Sequence, residues 1–106
     1  MNLKDYSDWT DTVWTTSESH TRHEQLAIMA LGLVGEAGEV TEIIKKALRG
    51  HYVGDLLVCD NVRRDSLKEE LGDVFYYWVR MCRYFKIDPE QVLELNQQKL
   101  TLRYKK

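Results

Sequence analysis

Two carboxylate pairs share one spacing in this sequence: Glu36 with Glu39, and Glu70 with Asp73. An α-helix turns about 100° per residue, so side chains three apart lie about 60° apart on one side of it. On a helix through residues 26–47, Leu26, Leu33, Ala37, Val40, Ile44 and Ala47 form an apolar stripe, and Glu36 and Glu39 lie along one margin. On a helix through residues 67–85, Leu67, Leu71, Val74, Trp78 and Phe85 form the stripe, and Glu70 and Asp73 lie along the matching margin. Packing the two stripes together would bring all four acids to one rim. Converging carboxylates repel one another and favour partial protonation. A hard divalent cation removes that repulsion, and Mg²⁺ takes oxygen ligands while keeping positions for substrate phosphates. Acids three apart also occur on ordinary solvated helix faces, and Glu42 extends the first pair as a surface residue would. Spacing alone leaves both possibilities open.

Other polar residues occupy positions that invite explanation. Gly32, Gly35 and Gly38 surround the first acid pair, and each costs about 1 kcal/mol relative to alanine inside a helix. Such glycines suggest close approach by a backbone or a ligand, or local tight packing. Val92, Asn96, Lys99 and Arg103 form a seam flanked by Leu93, Leu95, Leu100 and Leu102. An amide and two cations along a seam need acceptors, and phosphate oxygens would serve; a frayed, solvated helix end would satisfy them equally. Tyr77 lies one turn beyond Asp73, where its hydroxyl could reach a sugar or phosphate. Lys46 lies near Glu39 and could contact phosphate or pair with Glu42, and Arg49 lies further round the same helix.

Four helices are predicted to position these groups, making the chain all-α and bundle-like. The first covers residues 3–16 with Tyr6, Trp9 and Val13 on one stripe. The second starts at Thr21 or Arg22 and runs to Arg49, with Gly50 in a C-cap role. Residues 50–65, with Gly50, Gly54, Asp60 and Asn61, are expected to form a loop. Asp65 or Ser66 would cap a third helix, with Glu69 near its third position, running to Lys86. Asp88-Pro89-Glu90 starts a fourth, with Asp as N-cap and Pro in the first turn.

A chain of 106 residues is expected to be one domain, 1–106, small enough to gain stability by association. A hydrophobic share of 43% argues against disorder. A net charge of −2 does not suit wrapping a nucleic-acid polymer, although one bound nucleotide needs only a few cations. Cys59 and Cys82 make no disulfide framework, and Cys82 is expected to be a buried thiol. No apolar run reaches membrane-span length, so a reducing cytoplasm is the expected compartment. His20, His23 and His51 offer a zinc alternative, but neither cysteine has ligand-like spacing.

Three stretches together resemble the MazG-like all-alpha nucleoside triphosphate pyrophosphatases, in their compact single-domain bacterial and phage form. They are Ala30-Leu31-Gly32-Leu33-Val34-Gly35-Glu36-Ala37-Gly38-Glu39-Val40, then Glu69-Glu70-Leu71-Gly72-Asp73-Val74, then Asn96-x-x-Lys99 with Arg103-Tyr104. The likeness covers most of residues 25–104. It implies a four-helix fold completed as a homodimer or homotetramer. It implies Mg²⁺, or Mn²⁺ in its place, held by Glu36, Glu39, Glu70 and Asp73. It implies water attack at the α-phosphorus of a nucleoside triphosphate, often a deoxynucleotide, releasing pyrophosphate, with Glu36 or Glu39 as general base. Lys99 and Arg103 match phosphate-holding positions, and Asn96 and Tyr77 match positions near sugar and phosphate. Trp14, with Tyr6 and Trp9, is a candidate for base stacking, although an aromatic stripe also suits a core. Gly35 departs from the family pattern, standing where the fuller motif has an additional acid, and the stretch between Glu39 and Glu70 is long. An alarmone hydrolase or binder, or a non-catalytic nucleotide-binding module, would be alternative uses of the same fold.

Overall fold

The asparagine at position 2 begins the regular structure. Its Oδ1 accepts a 2.8 Å hydrogen bond from Asp5 N, capping a helix with one of the residue types best suited to that role. In the computed structural model, which describes residues 1–49 and 61–105, four α-helices follow: α1 (Leu3–Val13), α2 (Arg22–Arg49), α3 (Asn61–Tyr84) and α4 (Pro89–Arg103). A 3₁₀ turn at Thr16–Glu18 separates α1 from α2, and no strand occurs among the described residues. The all-α, four-helix expectation holds.

The helix ends follow local chemistry. At the start of α2, Thr21 N donates to Glu24 Oε1 (2.8 Å) and Glu24 N donates to Thr21 Oγ1 (3.1 Å), a reciprocal capping box. Those bonds hold the Glu24 carboxyl below its usual pKa. Asp88 accepts from Glu90 N at 3.0 Å, and Pro89 opens α4 as predicted. Three boundaries differ from expectation, one being the end of α3 at Tyr84 and not Lys86. α1 ends at Val13 because Trp14 leaves helical geometry at φ −83°, ψ 87°. α3 begins at Asn61, so Asp65 and Ser66 lie inside the helix and do not cap it. Asn61-Val62-Arg63-Arg64 contains no Gly or Pro to interrupt it. The proposed Gly50 cap, with Gly54, Asp60, His51 and Cys59, lies outside the described residues.

The chain divides into two compact units. The first comprises Met1–Leu26 and Val79–Lys106, in which α1 packs against α4. Trp14, Val79 and Cys82 are buried there, and burial raises the Cys82 thiol pKa. The expected stripe of α1 is not its buried face: Trp9 and Val13 are exposed, whereas Ser7, Thr10 and Trp14 are buried. Arginines on α3 explain the exchange. Arg80 Nη1 donates to Thr10 Oγ1 (2.9 Å) and Asp11 Oδ1 (2.5 Å). Arg83 donates to Ser7 Oγ (3.0 Å), Asp8 Oδ1 (3.2 Å) and both oxygens of Asp11. A polar face of α1 turns inward because its partner is polar.

The second unit is Ala27–Trp78. Met29 and Ala47 of α2 and Leu67 of α3 are buried, while Leu26 of the first unit and Leu33, Val40, Ile44, Val74 and Trp78 of the second are half-buried. Ala37, Leu71 and Phe85, placed by the sequence on the apolar stripes, are exposed. Phe75 and Trp78 stack with centroids 5.2 Å apart.

Candidate metal centre

Glu36 lies on α2, and Glu70 and Asp73 lie one turn apart on α3. In the second unit each offers one carboxylate oxygen, and those oxygens all lie within 4.8 Å of one another. Glu36 and Glu70 are half-buried and Asp73 is exposed, so the group opens to solvent on one side. Glu70 Oε2 is buried without a hydrogen-bond partner. A buried acceptor left unsatisfied is destabilising. Hydrogen bonding with Glu36, then burial, then the charges of Glu36 and Asp73 push the Glu70 carboxyl above its ordinary pKa. An all-oxygen donor set with an unpartnered buried oxygen fits a hard cation such as Mg²⁺ or Mn²⁺, and offers nothing to favour a soft metal.

Glu39 is exposed and stands outside this group of three, one turn along α2 from Glu36. Among the described residues no histidine joins the group, and His20 instead lies 2.9 Å from Ser19 Oγ.

Tyr77 lies one turn beyond Asp73, and its ring rests against Gly32, one turn before Glu36. A methyl group on Gly32 would fall 2.5 Å from Tyr77 Cε1 and Cζ. These contacts make α2 and α3 antiparallel within this unit: residue numbers fall along α2 as they rise along α3. The close approach suspected for the three glycines is therefore specific to Gly32, because a Cβ on Gly35 or Gly38 would meet nothing within 4 Å.

The remaining site candidates are placed less closely. Lys46 is exposed and lies 3.9 Å from Glu42, the pairing that the sequence offered as an alternative to phosphate contact. Asn96, Lys99 and Arg103 are exposed on α4 in the first unit, as are Leu93, Leu95 and Leu102 beside them. Trp14 is buried in the first unit; its indole N–H donates to Gln25 Oε1 (3.1 Å), and the Arg80 guanidinium lies 5.1 Å from its ring centre. Those contacts engage the groups that base stacking would use.

The Arg80–Arg83 clamp was not anticipated from sequence. Its signal was present: Asp8-x-x-Asp11 and Arg80-x-x-Arg83 carry matched spacing and opposite charge. A cavity of about 490 Å³ beside it is lined by Lys4, Asp8, Arg83 and the 86–90 turn. Lys4 and Arg83 both pair with Asp8 there, so this cavity lacks the unsatisfied acid chemistry of the second unit.

A family model for the MazG nucleotide pyrophosphohydrolase domain matches residues 24–106, spanning α2 to α4 and both acid pairs. The chain is 36% identical over 80 residues to the Gene 37 protein of Mycobacterium phage L5, across 76% of this chain and 67% of that protein. No solved structure gives a significant match. With the acid-bearing helices inside so extensive a match, the chain belongs to the MazG nucleotide pyrophosphohydrolase family.

Proposed function

We propose that this protein is an Mg²⁺-dependent nucleoside triphosphate pyrophosphohydrolase, converting a nucleoside or deoxynucleoside triphosphate to the monophosphate and pyrophosphate by water attack at the α-phosphorus. Family membership supports the reaction class. The observation that carries the cation is the unpartnered Glu70 oxygen beside Glu36 and Asp73. Glu36, Glu70 and Asp73 would hold Mg²⁺, with Mn²⁺ able to substitute and Glu39 completing the set. When bound, the cation supplies Lewis-acid stabilisation of charge on phosphate oxygens. Glu36 or Glu39 would accept the proton of the attacking water, and Glu39 is exposed and stands outside the group of three. Lys99 and Arg103 offer cations to phosphate oxygens, and Arg can do so with two parallel bonds. Asn96 and Tyr77 serve sugar and phosphate oxygens, and Lys46 can exchange its loose contact with Glu42 for a phosphate.

The working form in this proposal is a homodimer or homotetramer. Leu31 and Val34 on α2 are 73% and 72% exposed, and covering such side chains is favourable by about 25 cal/mol per Å². No helix among the described residues is long and apolar enough to cross a membrane.

The deciding experiment is a pyrophosphate-release screen over common and modified NTPs and dNTPs with Mg²⁺. Release from at least one substrate, abolished by chelation and by Asp73→Asn, is expected. Silence across the panel overturns the catalytic reading, and persistent activity in Asp73→Asn overturns the site.

A further inference from the structure

We propose that the Gly32–Tyr77 contact is a spacer that sets how closely α2 and α3 approach at the acids, making Gly32 a positioning residue for the bound cation. The inference rests on the cation reading above. Gly32 is four residues before Glu36, and Tyr77 is four residues after Asp73. Each lies one helical turn from an acid on its own helix. The contact is thus the neighbouring layer of the same antiparallel helix pair. A Cβ at position 32 would sit 2.5 Å from the tyrosine ring, whereas carbon atoms settle at about 3.5–4.0 Å. The ring is half-buried and meets Tyr76 edge-on, with centroids 5.3 Å apart. Swinging it aside would disturb that packing, so in this proposal α2 and α3 move apart to admit an added methyl group. Separation there moves Glu36 away from Glu70 and Asp73, whose oxygens now fit within 4.8 Å. Metal–oxygen bonds of about 2.1 Å tolerate little such movement.

Three glycines on one helix make the test internally controlled. Mn²⁺ affinity is measured by titration calorimetry on the full chain, with thermal melts of the metal-free protein alongside. Gly32→Ala is expected to weaken Mn²⁺ binding roughly 10–100-fold, the range seen when groups supporting metal ligands are disturbed. Gly35→Ala, which meets open space, is expected to bind as the wild type does. The double variant Gly32→Ala with Tyr77→Leu removes the ring edge and is expected to recover most of the lost affinity. Wild-type affinity in Gly32→Ala, equal loss in Gly35→Ala, or no recovery in the double variant each overturns the spacer. If Gly32→Ala fails to fold, a folded, Mn²⁺-binding double variant upholds the proposal and an unfolded one overturns it. If the wild type binds no Mn²⁺, the cation reading fails separately. The spacer is then judged on the metal-free melts: destabilisation by Gly32→Ala alone, restored in the double variant, upholds it, and identical melts for Gly32→Ala and Gly35→Ala overturn it.

Discussion

Asp8 and Asp11 in the first unit have the same three-residue spacing as Glu70 and Asp73 in the second, yet the two pairs live in opposite electrostatic surroundings. The aspartates face Arg80 and Arg83. Burial alone would push Asp11 up, but hydrogen bonds from Arg83 and Arg80 outweigh it and hold the carboxyl below its ordinary pKa. Arg83 is raised in turn, chiefly by its hydrogen bonds to Asp11. Around Glu70 the influential neighbours are themselves acids, and the shift runs upward. One pair is answered by the chain's own cations and fastens α1 to α3. The other lies beside a further acid with a buried oxygen unsatisfied, the arrangement expected where the answering charge arrives from solution.

The largest way to break this comparison is to remove the answer from the first pair. Arg80 is buried, so Asp11→Asn would leave its guanidinium with a neutral partner inside the fold. A loss of about 3 kcal/mol is expected, tempered by the partial exposure of Asp11. Melting of the metal-free variant should therefore begin roughly 10–20 °C lower. The pH dependence has a fixed sign. Because the folded pKa of Asp11 is depressed, its contribution is present above the unfolded value, near pH 4, and disappears as pH falls through the lower folded value. Urea midpoints measured from pH 6 to pH 2 should show that acid limb in the wild type and a shallower one in Asp11→Asn.

The second pair should respond to a different reagent. Mn²⁺ or Mg²⁺ at a hundred times its Kd should stabilise the wild type by about 2.7 kcal/mol, read as an upward shift in melting temperature. Glu70→Gln and Asp73→Asn should each remove that shift. Without metal, Glu70→Gln should melt slightly higher, because a charge repelled by Glu36 and Asp73 has gone. Asp11→Asn should keep the cation-induced shift despite its lower baseline. An equal shift in wild type and Glu70→Gln would erase the distinction between the two pairs.

Much of this was legible in sequence where the signal is local. Asp88-Pro89 announces α4 because N-cap and proline preferences act within one turn. Matched offsets on α2 and α3 pointed to Glu36, Glu39, Glu70 and Asp73, of which the structure groups Glu36, Glu70 and Asp73, because helical periodicity fixes direction only approximately. The buried face of α1 was not legible in the same way. Its partner Arg80 lies 70 residues from Thr10, and hydrophobic periodicity favours Tyr6, Trp9 and Val13. A polar helix face turns inward only when a specific long-range donor meets it. Asp65 and Ser66 have the side chains of caps and so point to a later start for α3, although an uninterrupted helix runs through them. Gly32 could not be told from Gly35 and Gly38 by type or spacing; only the ring of Tyr77 separates them.

The smallest predicted effect concerns the turn that ends α3, next to Arg83. Lys86 adopts φ 57°, the left-handed conformation. Its N–H donates to Arg83 O (3.2 Å), and Ile87 N donates to Cys82 O (2.8 Å), the paired bonds of a Schellman ending. Left-handed geometry crowds a Cβ by about 1–2 kcal/mol, and glycine removes that crowding at some expense in chain entropy. Lys86→Gly should therefore gain about 1 kcal/mol net, seen as a higher urea midpoint. The side chain of Lys86 forms neither acid pair, so the acid limb due to Asp11 and the cation-induced shift due to Glu70 should both survive the substitution. Loss of the acid limb would mean that the turn, and not only the arginine side chains, sets the register of the clamp on α1. Loss of the cation shift would tie the two acid pairs together through α3, and the contrast between a self-neutralised pair and an ion-seeking one would no longer describe independent parts of the molecule.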